Sequence, residues 1–200
     1  SFSQPVFLKS SSIAWADSVF STLTPDQRIG QLFMVAAYSN DKTDTAQIKK
    51  LINNCGIGGL IFFQGGPKRQ AVLTNYYQSI SNVKLLISID GEWGLDMRLD
   101  SAVRFPRQMT LGAIPSNADS LIYLMGKEIA SECKRLGIHV NLAPVADVNN
   151  NPMNPVISSR SFGENKFSVT RKSMLYMKGM QDAGVLACAK HFPGHGDTDS

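Results

Sequence analysis

Apolar positions along this chain fall into two alternating textures. Short, nearly continuous apolar runs occupy residues 32–37, 59–63, 84–89, 139–143 and 185–189. Between them lie segments with an apolar residue every third or fourth position, at 43–54, 67–81, 118–136 and 166–183. Apolar runs of this length suit strands buried on both faces, whereas the wider spacing suits helices with a single apolar stripe. The alternation therefore predicts successive βα units with parallel strands. Glycines at 56, 137 and 184 stand where three of the helices should stop. Upstream, residues 13–23 carry helical spacing, and Thr24-Pro25-Asp26-Gln27 spells a helix start with Thr as N-cap, Pro in the first turn and Gln three residues on. Residues 1–12 are polar and read as a surface leader.

Polar residues at the ends of the apolar runs separate two folds that this alternation allows. The third run ends in Asp90, the fourth leads to Asp147, and the fifth runs into Lys190-His191. Charged groups at successive strand ends are what the catalytic face of a barrel presents. A doubly wound nucleotide-binding sheet would instead need a glycine-rich turn after its first strand, and Tyr38-Ser39-Asn40 stands there. The predicted class is α/β, a (β/α)8 TIM-like barrel of which this chain covers about the first five units. A whole barrel takes about 250 residues, so residues 1–200 are expected to be the N-terminal portion of one barrel domain, completed by the rest of its own chain. Two connections, 90–116 and 144–165, are long for a compact domain and so are candidates for function.

Charge narrows the partners. Twenty Lys and Arg against 16 Asp and Glu give a net charge of +4 over 200 residues, but the basic residues are scattered, which disfavours nucleic acid. No apolar run has the 18 or more residues of a membrane span. Cysteines at 55, 133 and 188 match neither a disulfide framework nor a zinc spacing and are expected to be buried thiols. A Ser-rich start without an initiator Met leans towards export.

Lys190-His191-Phe192-Pro193-Gly194-His195-Gly196-Asp197-Thr198-Asp199 packs two His, two Asp and two Gly into ten residues. It reads as an active-site loop, as a polar turn, or as a metal site using His191, His195, Asp197 and Asp199. Pro193-Gly194 argues against the helix that would put both imidazoles on one face. Asp90 is either a turn former or a ligand-binding carboxylate, and Arg98, Arg104, Arg107 and Arg160 are either solvated or ligand-facing. Taken together, a carboxylate, several cations and an imidazole around one mouth suit a neutral polyhydroxylated ligand, whose hydroxyls donate to the carboxylate and accept from Arg, Lys and His.

Three motifs, Asp90-x-Glu92-x-Gly94 with Arg98, then Arg160-Ser161-Phe162-Gly163-Glu164, then Lys190 through Gly196, resemble glycoside hydrolase family 3, and within it the bacterial β-N-acetylglucosaminidase branch. The resemblance implies a barrel that releases terminal N-acetylglucosamine from glycans or peptidoglycan fragments with retention, through a covalent glycosyl-enzyme, without cofactor or metal. It implies substrate-binding roles for Asp90, Arg98, Arg160, Lys190 and His191, and pocket-shaping roles for Glu92, Trp93 and His195. Trp93 and Asn165 depart from the family's usual Gly and Asp. Retention needs a nucleophile about 5 Å from an acid/base group. The resemblance puts both, a nucleophilic Asp and a His–Asp acid/base pair, after Ser200, although Asp199-Ser200 imitates the start of the acid/base triplet. Rival readings are a β-glucosidase-type member of the family, a metal-dependent barrel hydrolase using His191, His195 and Asp197, and a non-catalytic sugar-binding barrel.

Overall fold

Thr24 caps its helix as the sequence predicts. In the computed structural model, which describes residues 10–198, Thr24 Oγ1 accepts from the Gln27 N–H, and Gln27 Oε1 accepts from the Thr24 N–H. This box opens α2 (Pro25–Gly30), behind α1 (Ser10–Thr22). Residues 1–9 of the expected leader lie outside the described residues, and 10–12 begin α1. The chain then alternates through β1 (Met34–Ser39), α3 (Thr45–Lys50), β2 (Gly59–Gly65), α4 (Pro67–Ile80), β3 (Leu86–Ile89), α5 (Gln108–Gly112), α6 (Ser120–Arg135), β4 (Val140–Asn141), α7 (Lys166–Asp182) and β5 (Leu186–Ala187). The strands form one parallel sheet in the order β1-β2-β3-β4-β5.

Most expected elements lie within a residue or two of those observed, and the differences have local causes. The sequence places Leu32 and Phe33 in the first strand, but their N–H groups donate to Ile29 O and Gly30 O. They close the α2 turn, and β1 begins at Met34. The helix expected to Asn54 changes at Leu51 to a wider π turn ending at Cys55. β4 and β5 are shorter than expected because the regular register is lost past Asn141, where the Cys188 N–H is shared between the carbonyls of Asn141 and Ala143. Hydrogen bonds nevertheless continue past them, from Cys188 N–H to Ala143 O and from Lys190 N–H to Pro144 O.

The two faces of the sheet differ. Leu60, Phe62, Ile87 and Ile89 alternate onto one face and are fully buried beneath the helices. Residues of the opposite parity look onto an open face, where Met34, Leu86 and Leu186 stay 38%, 42% and 47% exposed. Packing on the covered side is close. A Cβ on Gly179 would lie 2.1 Å from Tyr123 O, so α6 and α7 meet backbone to backbone. Of the thiols expected to be buried, only Cys133 is, and burial pushes it up to about 12. Cys55 and Cys188 are exposed, the first at the end of the π turn and the second on the open face. Among the described residues, no helix is long and apolar enough to cross a membrane.

Candidate active site

Strand parity delivers the first two charged groups. Asp90 lies two residues beyond Ser88, and Lys190 lies four beyond Leu186, so both side chains leave the sheet at its carboxyl end on the open face. Lys190 Nζ donates to Asp90 Oδ1 and stands 2.8 Å from Glu92 Oε1. Arg98, just past the turn Leu95–Met97, donates to Asp90 Oδ2, and its Nε donates to Asp90 O at 3.2 Å. Its guanidinium also lies over the Phe63 ring, 4.9 Å from the centroid. Arg160 ends the turn Ser158–Arg160 and grips Glu92 with two parallel hydrogen bonds, Nε to Oε2 at 2.9 Å and Nη2 to Oε1 at 2.7 Å. His191 Nδ1 is 2.7 Å from Asp147 Oδ2, and its Nε2 is 3.4 Å from Arg160 Nη2. Asp90, Arg98, Arg160, Lys190 and His191, all five expected binding residues, thus form one continuous contact network.

Glu92 is the hub of that network. Its side chain is 1% exposed and contacts both Arg160 and Lys190, a larger part than the shaping role expected from sequence. Three carboxylates, Asp90, Glu92 and Asp147, face three cations, Arg98, Arg160 and Lys190, so charge balances locally when His191 is neutral. Burial alone would raise the Asp90 carboxyl, but hydrogen bonds and charge from Lys190 and Arg98 outweigh it and hold it below the usual range. The Glu92 hydrogen bonds raise Arg160 further. A balanced, hydrogen-bonding site of this kind is suited to a neutral polar ligand.

Trp93 stands at the rim, half-buried, with the Arg107 guanidinium 4.5 Å from its ring centroid. Arg107 also donates to Ser159 Oγ at 2.9 Å. Arg104 lies outside the cluster, exposed and 3.7 Å from Asp96. His195 faces His191 edge-on at 5.5 Å between centroids, and its Nδ1 contacts Thr198 Oγ1. Asn165, the second departure, caps α7 by accepting from the N–H groups of Phe167 and Ser168. Among the described residues no three His, Cys, Asp or Glu side chains converge as a metal site would require. Asp197 is exposed, and Asp199, like Ser200, lies outside the described residues.

A supporting layer was not predicted. Asn141 clasps the Gly91 peptide, accepting from its N–H at 2.9 Å and donating to its carbonyl at 3.0 Å, while Tyr176 reaches the Gly91 and Glu92 carbonyls from α7. Asn154, 2% exposed, donates to His195 O at 2.7 Å. The next residue, Gly196, is pressed onto Val148, where a Cβ would lie 1.7 Å from the carbonyl oxygen. Asp147 carried a readable signal, as an acidic residue following a strand. Asn141, Asn154 and Tyr176 carried none, since their partners are 50, 41 and 85 residues distant.

Comparison with known proteins agrees with this architecture. The Glycosyl hydrolase family 3 N terminal domain matches residues 24–200. Beta-hexosaminidase A of Pseudoalteromonas piscicida is 41% identical over 76% of this chain and 27% of its own length. A beta-N-acetylglucosaminidase/beta-glucosidase of Cellulomonas fimi is 29% identical over 96% of this chain and 33% of its own length. The solved structure of a glycoside hydrolase family 3 beta-N-acetylglucosaminidase from Paenibacillus sp. str. FPU-7 superposes with a TM-score of 0.75 at 38% identity, covering 89% of this chain and 35% of that one. The chain thus spans about a third or less of the length of these relatives. The parallel sheet of five successive strands, the first four each followed by helix, is the first part of a TIM-like barrel. With three motifs joined in one pocket and the family domain matched from residue 24 to 200, this chain belongs to glycosyl hydrolase family 3.

Proposed function

We propose that the protein is a retaining, exo-acting β-N-acetylhexosaminidase that releases terminal N-acetylglucosamine from glycans or peptidoglycan fragments. The observation that carries this reading is the convergence of Asp90, Arg98, Arg160, Lys190 and His191 on one charge-balanced mouth. The names of the 41%-identical relative and the Paenibacillus structure supply the sugar. In the proposed complex, Asp90 accepts from sugar hydroxyls with the lone pairs that Arg98 and Lys190 leave free. Lys190, Arg98 and Arg160 donate, and Glu92 holds Arg160 and Lys190 in place from beneath. His195 and Trp93 shape the rim.

The proposal extends to the whole polypeptide. Both outer strands, β1 and β5, have an unpaired edge among the described residues, and exposed edges of this kind are an aggregation hazard unless covered. Leu32, Phe33 and Phe192 add exposed apolar surface, Phe192 at 99%. Further strands of the same chain would close the barrel over these edges, and with them would come the nucleophilic Asp and the His–Asp acid/base pair.

The test is hydrolysis of a chromogenic N-acetyl-β-glucosaminide by the full-length protein, with the β-glucoside alongside. Preference for the N-acetyl substrate is expected. Turnover of the β-glucoside alone would move the protein to the glucosidase branch, a reading that the double name of the Cellulomonas relative makes worth measuring. Binding of N-acetylglucosamine without turnover of either substrate would leave a sugar-binding barrel.

A further inference from the structure

His191 stands between two neighbours that dictate where its ring proton sits. On one side Nδ1 is 2.7 Å from Asp147 Oδ2. A carboxylate offers only acceptors, so Nδ1 carries the hydrogen and donates it. On the other side Nε2 is 3.4 Å from Arg160 Nη2. A guanidinium offers only donors, so Nε2 presents its lone pair. The two constraints act from opposite ends of the ring and select the same tautomer.

Asp147 is itself held firmly. Its side chain is 1% exposed, and its Oδ1 accepts the backbone N–H groups of His195 at 2.8 Å and of His191 at 3.3 Å. One carboxylate therefore anchors the segment that carries both histidines and orients one of the rings. Arg160 on the far side is fixed by its paired hydrogen bonds to Glu92, so neither neighbour is free to turn away.

We infer that Asp147 is a positioning residue that makes His191 a hydrogen-bond acceptor, at Nε2, in the proposed sugar pocket. The inference rests on the sugar-binding reading above and alters one part of it. A histidine expected to donate to a sugar oxygen instead accepts a hydrogen bond from a hydroxyl. Arg98, Arg160 and Lys190 can only donate and Asp90 only accepts, so His191 supplies an acceptor on the Arg160 side of the pocket. A hydroxyl that replaces the direct 3.4 Å contact donates to Nε2, taking its one lone pair, and accepts from Arg160 Nη2. The pair thus reads one sugar hydroxyl in both directions, and an unpaired partner on either side would be costly when that hydroxyl is missing.

Long-range proton–nitrogen NMR correlation on the ligand-free, full-length protein at about pH 8, with His191 assigned by its disappearance in H191Q, reads the tautomer directly. A proton on Nδ1 with a lone pair on Nε2 is expected. In D147N the amide oxygen keeps the two backbone N–H groups, so the carboxamide N–H faces Nδ1 and opposes Arg160, and the ring proton is expected to shift in part to Nε2. KM for the chromogenic N-acetyl-β-glucosaminide should rise about tenfold or more, the size of effect seen when a carboxylate that orients a metal-bound histidine is removed. A wild-type ring protonated at Nε2, or a folded D147N protein with unaltered KM, overturns the inference. If D147N does not fold, the wild-type spectrum decides. That spectrum needs no substrate, so a failure of the hydrolysis assay would count against the proposed function and not against the ring assignment.

Discussion

Asp119 and Asp90 each sit between two cations, yet only the second leaves room for a ligand. Asp119 accepts from Lys172 Nζ at 2.7 Å and from Arg171 Nε at 2.6 Å. Lys172 is 1% exposed, and its other two N–H groups go to Leu111 O at 3.0 Å and Ile114 O at 3.1 Å. Every donor of that ammonium is used, and the cluster ties α7 to the chain after α5. Lys190 has two partners, Asp90 and Glu92, so one of its three N–H groups remains for something else. Asp90 stays 16% exposed at the open face. The same parts make a structural tie where every donor is satisfied, and a candidate binding site where some are not.

Breaking the tie should give the largest effect. Lys172→Ala strands two carbonyls and leaves Asp119 with Arg171 alone, and removing one partner of a buried pair costs about 3–5 kcal/mol. Denaturant unfolding of the full-length protein should show that loss. A change below about 1 kcal/mol would mean that the cluster is no more than a surface ion pair. Asp90→Asn should behave in the opposite way. Hydrogen bonds to charged groups are worth about 1.5–3 kcal/mol, so kcat/KM on the N-acetyl-β-glucosaminide should fall about a hundredfold, while the unfolding midpoint falls less than in Lys172→Ala. A large stability loss in this variant with unchanged kinetics would erase the contrast between the two clusters.

Acid offers an intermediate test of both. Burial pushes Asp119 up, but Lys172 and Arg171 outweigh it and hold it below 3.8, as Lys190 and Arg98 do for Asp90. Folded values below the unfolded ones mean that both carboxylates contribute stability above about pH 4, and that it is lost as the pH falls through the depressed values. Thermal unfolding followed from about pH 6 to pH 2 should show this decline, and Asp119→Asn should flatten part of it. The smallest effect belongs to the rim. Arg107 is exposed, and an exposed cation–π contact is worth about 0.5–1 kcal/mol. Arg107→Ala should change KM by about two- to fivefold, and kinetics with two different leaving groups would show whether Trp93 and Arg107 touch the leaving group at all.

Much of the frame was legible in the chain because its signals are local. The Thr24 capping box, the glycine stops and the apolar runs each act over a few residues, and strand parity then sends Asp90 and Lys190 to one side. The contacts of Glu92 are hard to read for the opposite reason. Its importance comes from Arg160, 68 residues later, and from burial, which no short window reveals. Cys188 was misjudged because its neighbours are apolar although its face of the sheet is open. Asp147 could be seen as a strand-end acid, but its hold on His191 depends on two loops meeting in space.

The seat of Gly196 on the Val148 carbonyl makes two distant segments depend on one another. Any side chain there would drive the two loops apart, displacing the Asp147 carboxylate and the His195 backbone together. The segments 147–154 and 190–198 therefore hold their shapes jointly, and a graft that transplants one without the other should carry over its residues but not its pocket.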